Sequence, residues 1–252
     1  MTYTLSSPAL RGDTFEYDLW SNTSKLIEHL PLPSASELVE DELDVSLQYV
    51  KSEDGQEVPF TTIQKKKIDV SAPVIINSYG CYGVDIPIHY NPSYLSLLKR
   101  GWILGYSAIR FVLCVEIMIR GGGDKGPRWY QQGSCLNREN GIKDLNSVIT
   151  AVSSLHPVCL SSNSAGGIIT GALLNRTTVP IQAVLLHVPF ILLRDTLTNR
   201  GLPLTVTEFD EWGNPDKINE MQGIERICPY TNLEKRVYPN IFCTCGIEFN
   251  LD

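Results

Sequence analysis

Apolar and polar positions keep different rhythms in different parts of this chain. Near the start the period is two. Tyr3-Thr4-Leu5 and Thr14-Phe15-Glu16-Tyr17-Asp18-Leu19 predict short strands joined by a polar turn at Arg11-Gly12-Asp13. Two such strands cannot bury a core of their own. Pro31, Pro33, Ser34 and Ser36, followed by an acidic run over 37–44, then predict a linker. Alternation resumes at 45–51 and 58–64 around Asp54-Gly55, a hairpin signal because both residue types tolerate a positive φ.

From residue 73 onward, short unbroken apolar runs are separated by helix-period segments. Pro73-Val74-Ile75-Ile76-Asn77 reads as a buried strand, and it ends in the loop Ser78-Tyr79-Gly80-Cys81-Tyr82-Gly83. A short helix is predicted at 94–100 and a buried strand at 102–109. A second apolar run follows with no turn signal, and both runs end in Ile-Arg, at Ile109-Arg110 and Ile119-Arg120. Residues 111–120 therefore read as an insertion that would bulge from a central strand. Beyond a glycine loop with Trp129 and Tyr130, the spacing of Ile142, Leu145, Val148, Ile149, Val152 and Leu155 predicts a helix over 140–155. Strands are expected at 159–162, 179–188 and 239–245, the last of them buried. A helix is expected at 165–174, a loop or helix at 189–197, and an acidic, aromatic loop at 207–215. The repeated strand–loop–helix order predicts an α/β fold with a mostly parallel sheet and helices on both faces.

One stretch carries chemistry. In Cys159-Leu160-Ser161-Ser162-Asn163-Ser164-Ala165-Gly166-Gly167 an apolar strand turns sharply into a helix. A serine on such a bend is lifted off the sheet at a helix N-terminus, where N–H groups face a developing oxyanion. Ser164 is the candidate nucleophile. The usual pattern G-x-S-x-G is half kept, with Gly166 in place and Ser162 as a small substitute for the first glycine. A plain small-residue turn is the alternative.

Composition narrows the partners. A net charge of -7 argues against nucleic acid. Lys65-Lys66-Lys67 reads as a hairpin end or a solvated loop. Arg110 and Glu116 interrupt the longest apolar stretch, at 103–119, so no membrane span is expected. No secretory signal is seen. Seven cysteines at irregular spacing fit a reduced, cytoplasmic protein, and Cys243-x-Cys245 lacks a second pair, so neither a metal site nor a cofactor is expected.

Several motifs in order resemble the prolyl oligopeptidase family of serine peptidases, in its prolyl-endopeptidase-like and oligopeptidase B branch. They are Tyr79-Gly80-Cys81-Tyr82-Gly83, Arg120-Gly121-Gly122-Gly123-Asp124 with Trp129, Ser164-Ala165-Gly166-Gly167, Glu211-Trp212-Gly213-Asn214-Pro215, and Cys228-Pro229-Tyr230 with Tyr238-Pro239. The resemblance implies an α/β-hydrolase domain over 45–252, a linker at 31–44, and a β-propeller remnant at 1–30. It implies Ser164 as nucleophile, with the Tyr79 hydroxyl and the Ala165 N–H as oxyanion hole. Glu208 and Asp210 would form an acidic pair near a pocket for basic side chains, or a solvated loop. Tyr82 would line that pocket or pack as an ordinary aromatic.

The chain also departs from the family. Its order is Ser, Asp, His, yet Phe249 stands at the acid position, with Glu248 one residue early. The four histidines, His29, His89, His156 and His187, all precede it. Each reads as a surface or satisfied interior histidine, which implies a hydrolase domain truncated at its C-terminus. Two functions follow. One is a serine hydrolase acting on short peptides or on ester and thioester bonds through an acyl-enzyme. The other is an inactive hydrolase fold serving as an interaction protein.

Overall fold

The computed structural model describes residues 1–7, 9–32, 42–66, 72–85, 90, 92, 97–98 and 113–245. Among them the strands form two sheets. The first is antiparallel, in the order β1 (Thr2–Ser7), β2 (Leu10–Asp18), β3 (Thr23–Leu30). Arg11-Gly12-Asp13 lies inside β2 and is not a turn. The third strand escapes a period-two scan because the register slips at Ile27: Phe15 pairs with Leu26 but Thr14 with Glu28. Every residue of β3 is exposed, and the described strands close no propeller ring.

The second sheet has seven strands in the order β10-β9-β8-β6-β7-β5-β4. The hairpin β4 (Leu43–Lys51) and β5 (Glu57–Lys65) turns at Gly55, whose φ is +82°. β5 runs antiparallel to β7 (Leu113–Ile117), and from β7 the sheet is parallel through β6 (Val74–Ser78), β8 (Val158–Asn163), β9 (Ile181–His187) and β10 (Asn240–Thr244). The chain leaves β6 for β7 on one side and later returns to lay β8 on the other. The strand order therefore reverses beside β6, and in open α/β sheets such a reversal opens a crevice at the strands' carboxyl ends.

One face of this sheet buries Val74 and Ile76, Val158 and Leu160, and Val184. Helix α2 (Glu139–Ser153) covers it with Ile142, Leu145, Val148 and Ile149, and α3 (Gly166–Leu174) with Ile168, Ile169 and Leu173. Each such side chain contributes roughly 1.5–3 kcal/mol. On the opposite face Ile75, Asn77, Ser161, Ala183 and Leu185 are only half-buried. The shorter helices are α1 (Pro127–Gln131), α4 (Leu193–Thr198), α5 (Phe209–Trp212) and α6 (Ile218–Ile227). The acidic stretch expected as a loop thus contains a helical turn, α5. Sequence periodicity also missed α6, which buries only Ile224 and Ile227.

Two further expectations are corrected. Residues 113–117 do not bulge. They are β7, paired on both sides in the middle of the sheet. Of the two Ile-Arg endings, the second is pinned: Arg120 is 2% exposed and bonds Asp144, itself fully buried, through Nε at 2.9 Å and Nη2 at 2.6 Å. β10 is likewise not buried. It pairs only with β9 at the sheet edge, and Ile241 and Phe242 are exposed. The helix expected at 94–100 and the strand at 102–109 lie outside the described residues, Leu97 and Leu98 apart.

Candidate active site

The bend after β8 has the conformation its sequence calls for. Ser164 is exposed and holds φ at +48°, a left-handed value that costs a non-glycine residue about 1–2 kcal/mol. Its backbone is tied on three sides. The Ser164 N–H donates to the His187 carbonyl at 3.0 Å, and its own carbonyl accepts from Gly167 at 3.0 Å and Phe190 at 2.8 Å. Ala165 is buried and caps α3, so its N–H belongs to a helix end that lacks intrahelical acceptors. Gly166 sits where a side chain would be crowded. A Cβ there would lie 3.1 Å from the Ser78 carbonyl oxygen and 3.4 Å from both the Tyr79 Cα and the Ser162 Cβ. The same figures place the backbone of Tyr79 close to Gly166.

Tyr79 is half-buried. Desolvation, with Cys81 and the Glu211 and Glu208 carboxylates adding to it, pushes its phenol up to about 12. The hydroxyl therefore stays protonated at neutral pH and remains a donor. Between the ends of β6, β8 and β9 lies a cleft of about 470 Å³, lined by Asn77, Ser78, Tyr79, Val84, Asp85, Ser161, Ser162, Asn163 and His187. It sits at the strand-order reversal. Ser162 is 5% exposed, and no partner is found for its hydroxyl.

The loop that carries Tyr79 is braced from below by an ion pair between Glu211, quoted above only as part of a motif, and Arg138, which sequence reasoning did not single out. Arg138 is 1% and Glu211 4% exposed, and the two form an ion pair. Arg138 Nη1 also donates to the Gly80 carbonyl at 2.7 Å, and its guanidinium lies 4.5 Å from the Trp212 ring centroid. Glu211 accepts from the Tyr82 N–H at 2.6 Å and the Tyr130 hydroxyl at 2.8 Å. A second glycine loop interlocks with the first. The Gly83 N–H donates to the Gly121 carbonyl, and a Cβ on Gly121, where φ is +102°, would stand 2.3 Å from the Gly80 oxygen.

Tyr82 is 39% exposed, and its hydroxyl donates to Glu208 at 2.7 Å. Trp212 Nε1 donates to the same Glu208 oxygen at 2.9 Å. Asp210 is exposed, and its carbonyl accepts from the Cys135 thiol at 3.1 Å. Tyr82 and Glu208 are thus in contact, whereas neither Glu208 nor Asp210 lines the cleft of Tyr79.

The histidines divide. His29 Nδ1 lies 2.5 Å from Asp13, and His156 Nδ1 lies 3.0 Å from the Ala72 carbonyl oxygen. His89, Glu248 and Phe249 lie outside the described residues. His187 is not embedded in its strand. It is the last residue of β9, its side chain is exposed, and it lines the cleft with Nδ1 2.5 Å from Thr244 Oγ1. The signal for it was in the sequence: Ala183, Leu185 and His187 share the strand face opposite Val184 and Leu186. Only the pairing of β9 with β8 reveals that the backbone of His187 ends beside that of Ser164.

The family model described as the prolyl oligopeptidase family matches residues 100–248. A human prolyl endopeptidase-like protein is 34% identical over 202 residues, covering 77% of this chain and 26% of the human one. A dipeptidyl aminopeptidase BI from Pseudoxanthomonas mexicana is 28% identical over 257 residues, covering 98% of this chain and 34% of its own. The chain therefore spans about a quarter to a third of the curated relatives it matches. Among solved structures, oligopeptidase B from Leishmania major superposes with a TM-score of 0.85 at 23% identity, over 97% of this chain and 33% of that one. Oligopeptidase B from Trypanosoma brucei does so with a TM-score of 0.84 at 22% identity, over 96% and 36%. Both show the same fold. Among the described residues no helix is long and apolar enough to cross a membrane.

Proposed function

Because the chain belongs to the prolyl oligopeptidase family, we propose that it carries a serine-hydrolase site acting on short peptides or on ester and thioester bonds. Ser164 is the nucleophile. The Tyr79 hydroxyl and the Ala165 N–H receive the oxyanion. One observation supports this above the others: an exposed serine is held at a left-handed φ between β8 and α3, two residues before a glycine that packs near the backbone of Tyr79, whose phenol burial keeps protonated. In the proposed reaction Ser164 Oγ bonds to the carbonyl carbon, and the carbonyl oxygen takes up the electron pair. The hydroxyl proton passes to a base and then to the leaving group.

Tyr82, Glu208 and Asp210 are assigned to recognition of the substrate, with the carboxylates suited to a basic side chain. Residues 45–252 form the hydrolase domain in this proposal, joined by a linker at 31–44 to the strands of 1–30.

A fluorophosphonate probe tests the nucleophile. The folded chain should label at Ser164, and Ser164→Ala should abolish labelling. A second reading is a hydrolase fold used only for binding. It draws on the cleft, which Tyr79, Ser162 and His187 line and Ser164 does not. That reading expects a folded chain that never labels.

A further inference from the structure

The two edges of the larger sheet are unlike. β10 is 5 residues long, whereas β4 runs 9 residues with no proline and an unbroken register to β5. The bonds beyond its two ends fix which way its backbone faces. The Ser52 N–H donates to the Gln56 carbonyl at 2.8 Å, and the Lys66 N–H donates to the Glu42 carbonyl at 2.8 Å. Both belong to one antiparallel ladder, in which opposed residues alternate between bonded and non-bonded pairs. The even-numbered residues of β4 therefore bond β5. Leu43, Val45, Leu47, Tyr49 and Lys51 turn their N–H and C=O groups to the open side, where no described strand pairs with them. The same positions carry an apolar stripe, with Val45 37%, Leu47 54% and Tyr49 57% exposed. Sheet edges of this length commonly carry a bulge, a proline or a mid-strand lysine against unwanted pairing. β4 has none of these, and its one lysine stands at its end.

We infer that β4 is a self-association edge, on which β4 of a second copy of this chain pairs antiparallel about a two-fold axis at Leu47. The strand is complementary to itself in that register. Val45 faces the second copy's Tyr49, Leu47 faces the second copy's Leu47, and Leu43 faces the second copy's Lys51. All are outward-turned positions, so the open N–H and C=O groups of each copy find partners on the other. On the opposite face Ser46 meets Gln48 and Asp44 meets Val50, so no like charges are opposed. The charges also select the antiparallel direction. Glu42 and Asp44 stand at the start of the strand and Lys51 at its end. Antiparallel pairing sets the basic end of each copy against the acidic start of the other, and parallel pairing would set acid beside acid. A two-fold contact of this kind closes after two copies and joins their sheets into one. It uses neither the cleft nor Ser164, so it stands apart from the hydrolase reading.

The test is sedimentation of the folded 252-residue chain in reductant at micromolar concentration. The parent should be a dimer. Leu47→Lys and Leu47→Glu, at an exposed position, each set like charges opposite one another at the axis, and each should be monomeric with an unchanged circular dichroism spectrum. An equimolar mixture of the two should be dimeric again, as expected only where position 47 meets itself. Leu47→Cys tests the register without charging the edge. Opposed residues of a bonded pair have Cα atoms about 5.5 Å apart, within reach of a disulfide. Oxidation should therefore link two copies through position 47, as read by mass spectrometry of the linked peptide. Val45→Cys, whose own counterpart lies four residues out of step, should not link through position 45. A monomeric parent overturns the proposal. So does a dimer that survives Leu47→Lys, which would place the contact elsewhere, or a mixture that stays monomeric.

Discussion

The two walls of the cleft are held by unlike means. On the Tyr79 side a buried ion pair, Arg138 with Glu211, gathers the loop backbone, the Tyr82 N–H, the Tyr130 hydroxyl and the Trp212 ring into one network. On the His187 side the ring is exposed, and its Nδ1 meets the hydroxyl of a threonine on the edge strand. In the proposed reaction the rigid wall would carry an oxyanion donor, and such a donor works best when fixed before the reaction begins.

Breaking the rigid wall should have the largest effect. Arg138→Met leaves Glu211 buried without its cation, and losses of this kind cost about 3–5 kcal/mol. The urea midpoint should fall accordingly, and an unchanged midpoint would mean the loop is held by its glycine interlock alone. Next in size, Tyr79→Phe should slow fluorophosphonate labelling by about 10²–10³-fold, as expected for one lost oxyanion donor, while the fold survives. Labelling at the parent rate would remove Tyr79 from the oxyanion hole.

Alkaline pH probes the same wall more gently. The folded Tyr79 and Tyr130 phenols are both raised to about 12 from a usual 10. The folded state therefore holds these protons where the unfolded chain releases them. This contribution is complete below pH 10 and is lost as pH rises from 10 to about 12. Denaturant melts at pH 9 and pH 11 should show the drop, and it should shrink in Tyr79→Phe. The smallest effect belongs to the rim. Tyr82→Phe removes the hydroxyl bonded to Glu208 at a site 39% exposed, so stability should fall by only about 1 kcal/mol. A larger fall would place Tyr82 among the structural braces.

Much of this was legible before any coordinates. The apolar run of β6, the Ile142–Leu145–Val148–Ile149 stripe of α2 and the small-residue bend at Ser164 each reflect a local rule: period, cap or backbone freedom. The bracing network was not legible. Arg138 and Glu211 are 73 residues apart, and ordinary surface charges would have the same appearance in sequence. The bulge expected at 111–120 failed for a related reason: residues 113–117 pair as β7, and the buried Asp144, 24 residues further on, holds Arg120 just beyond it.

What the chain dictates alone is much of its run of strands and helices, and a serine at a bend tight enough to lift it, because these depend on neighbours a few residues away. Only the packed sheet decides that β9 lies beside β8, bringing His187 to the bend, and that β10 is an exposed edge. Strand order is a long-range choice: it depends on which apolar faces share a core, and that information is spread over the whole molecule.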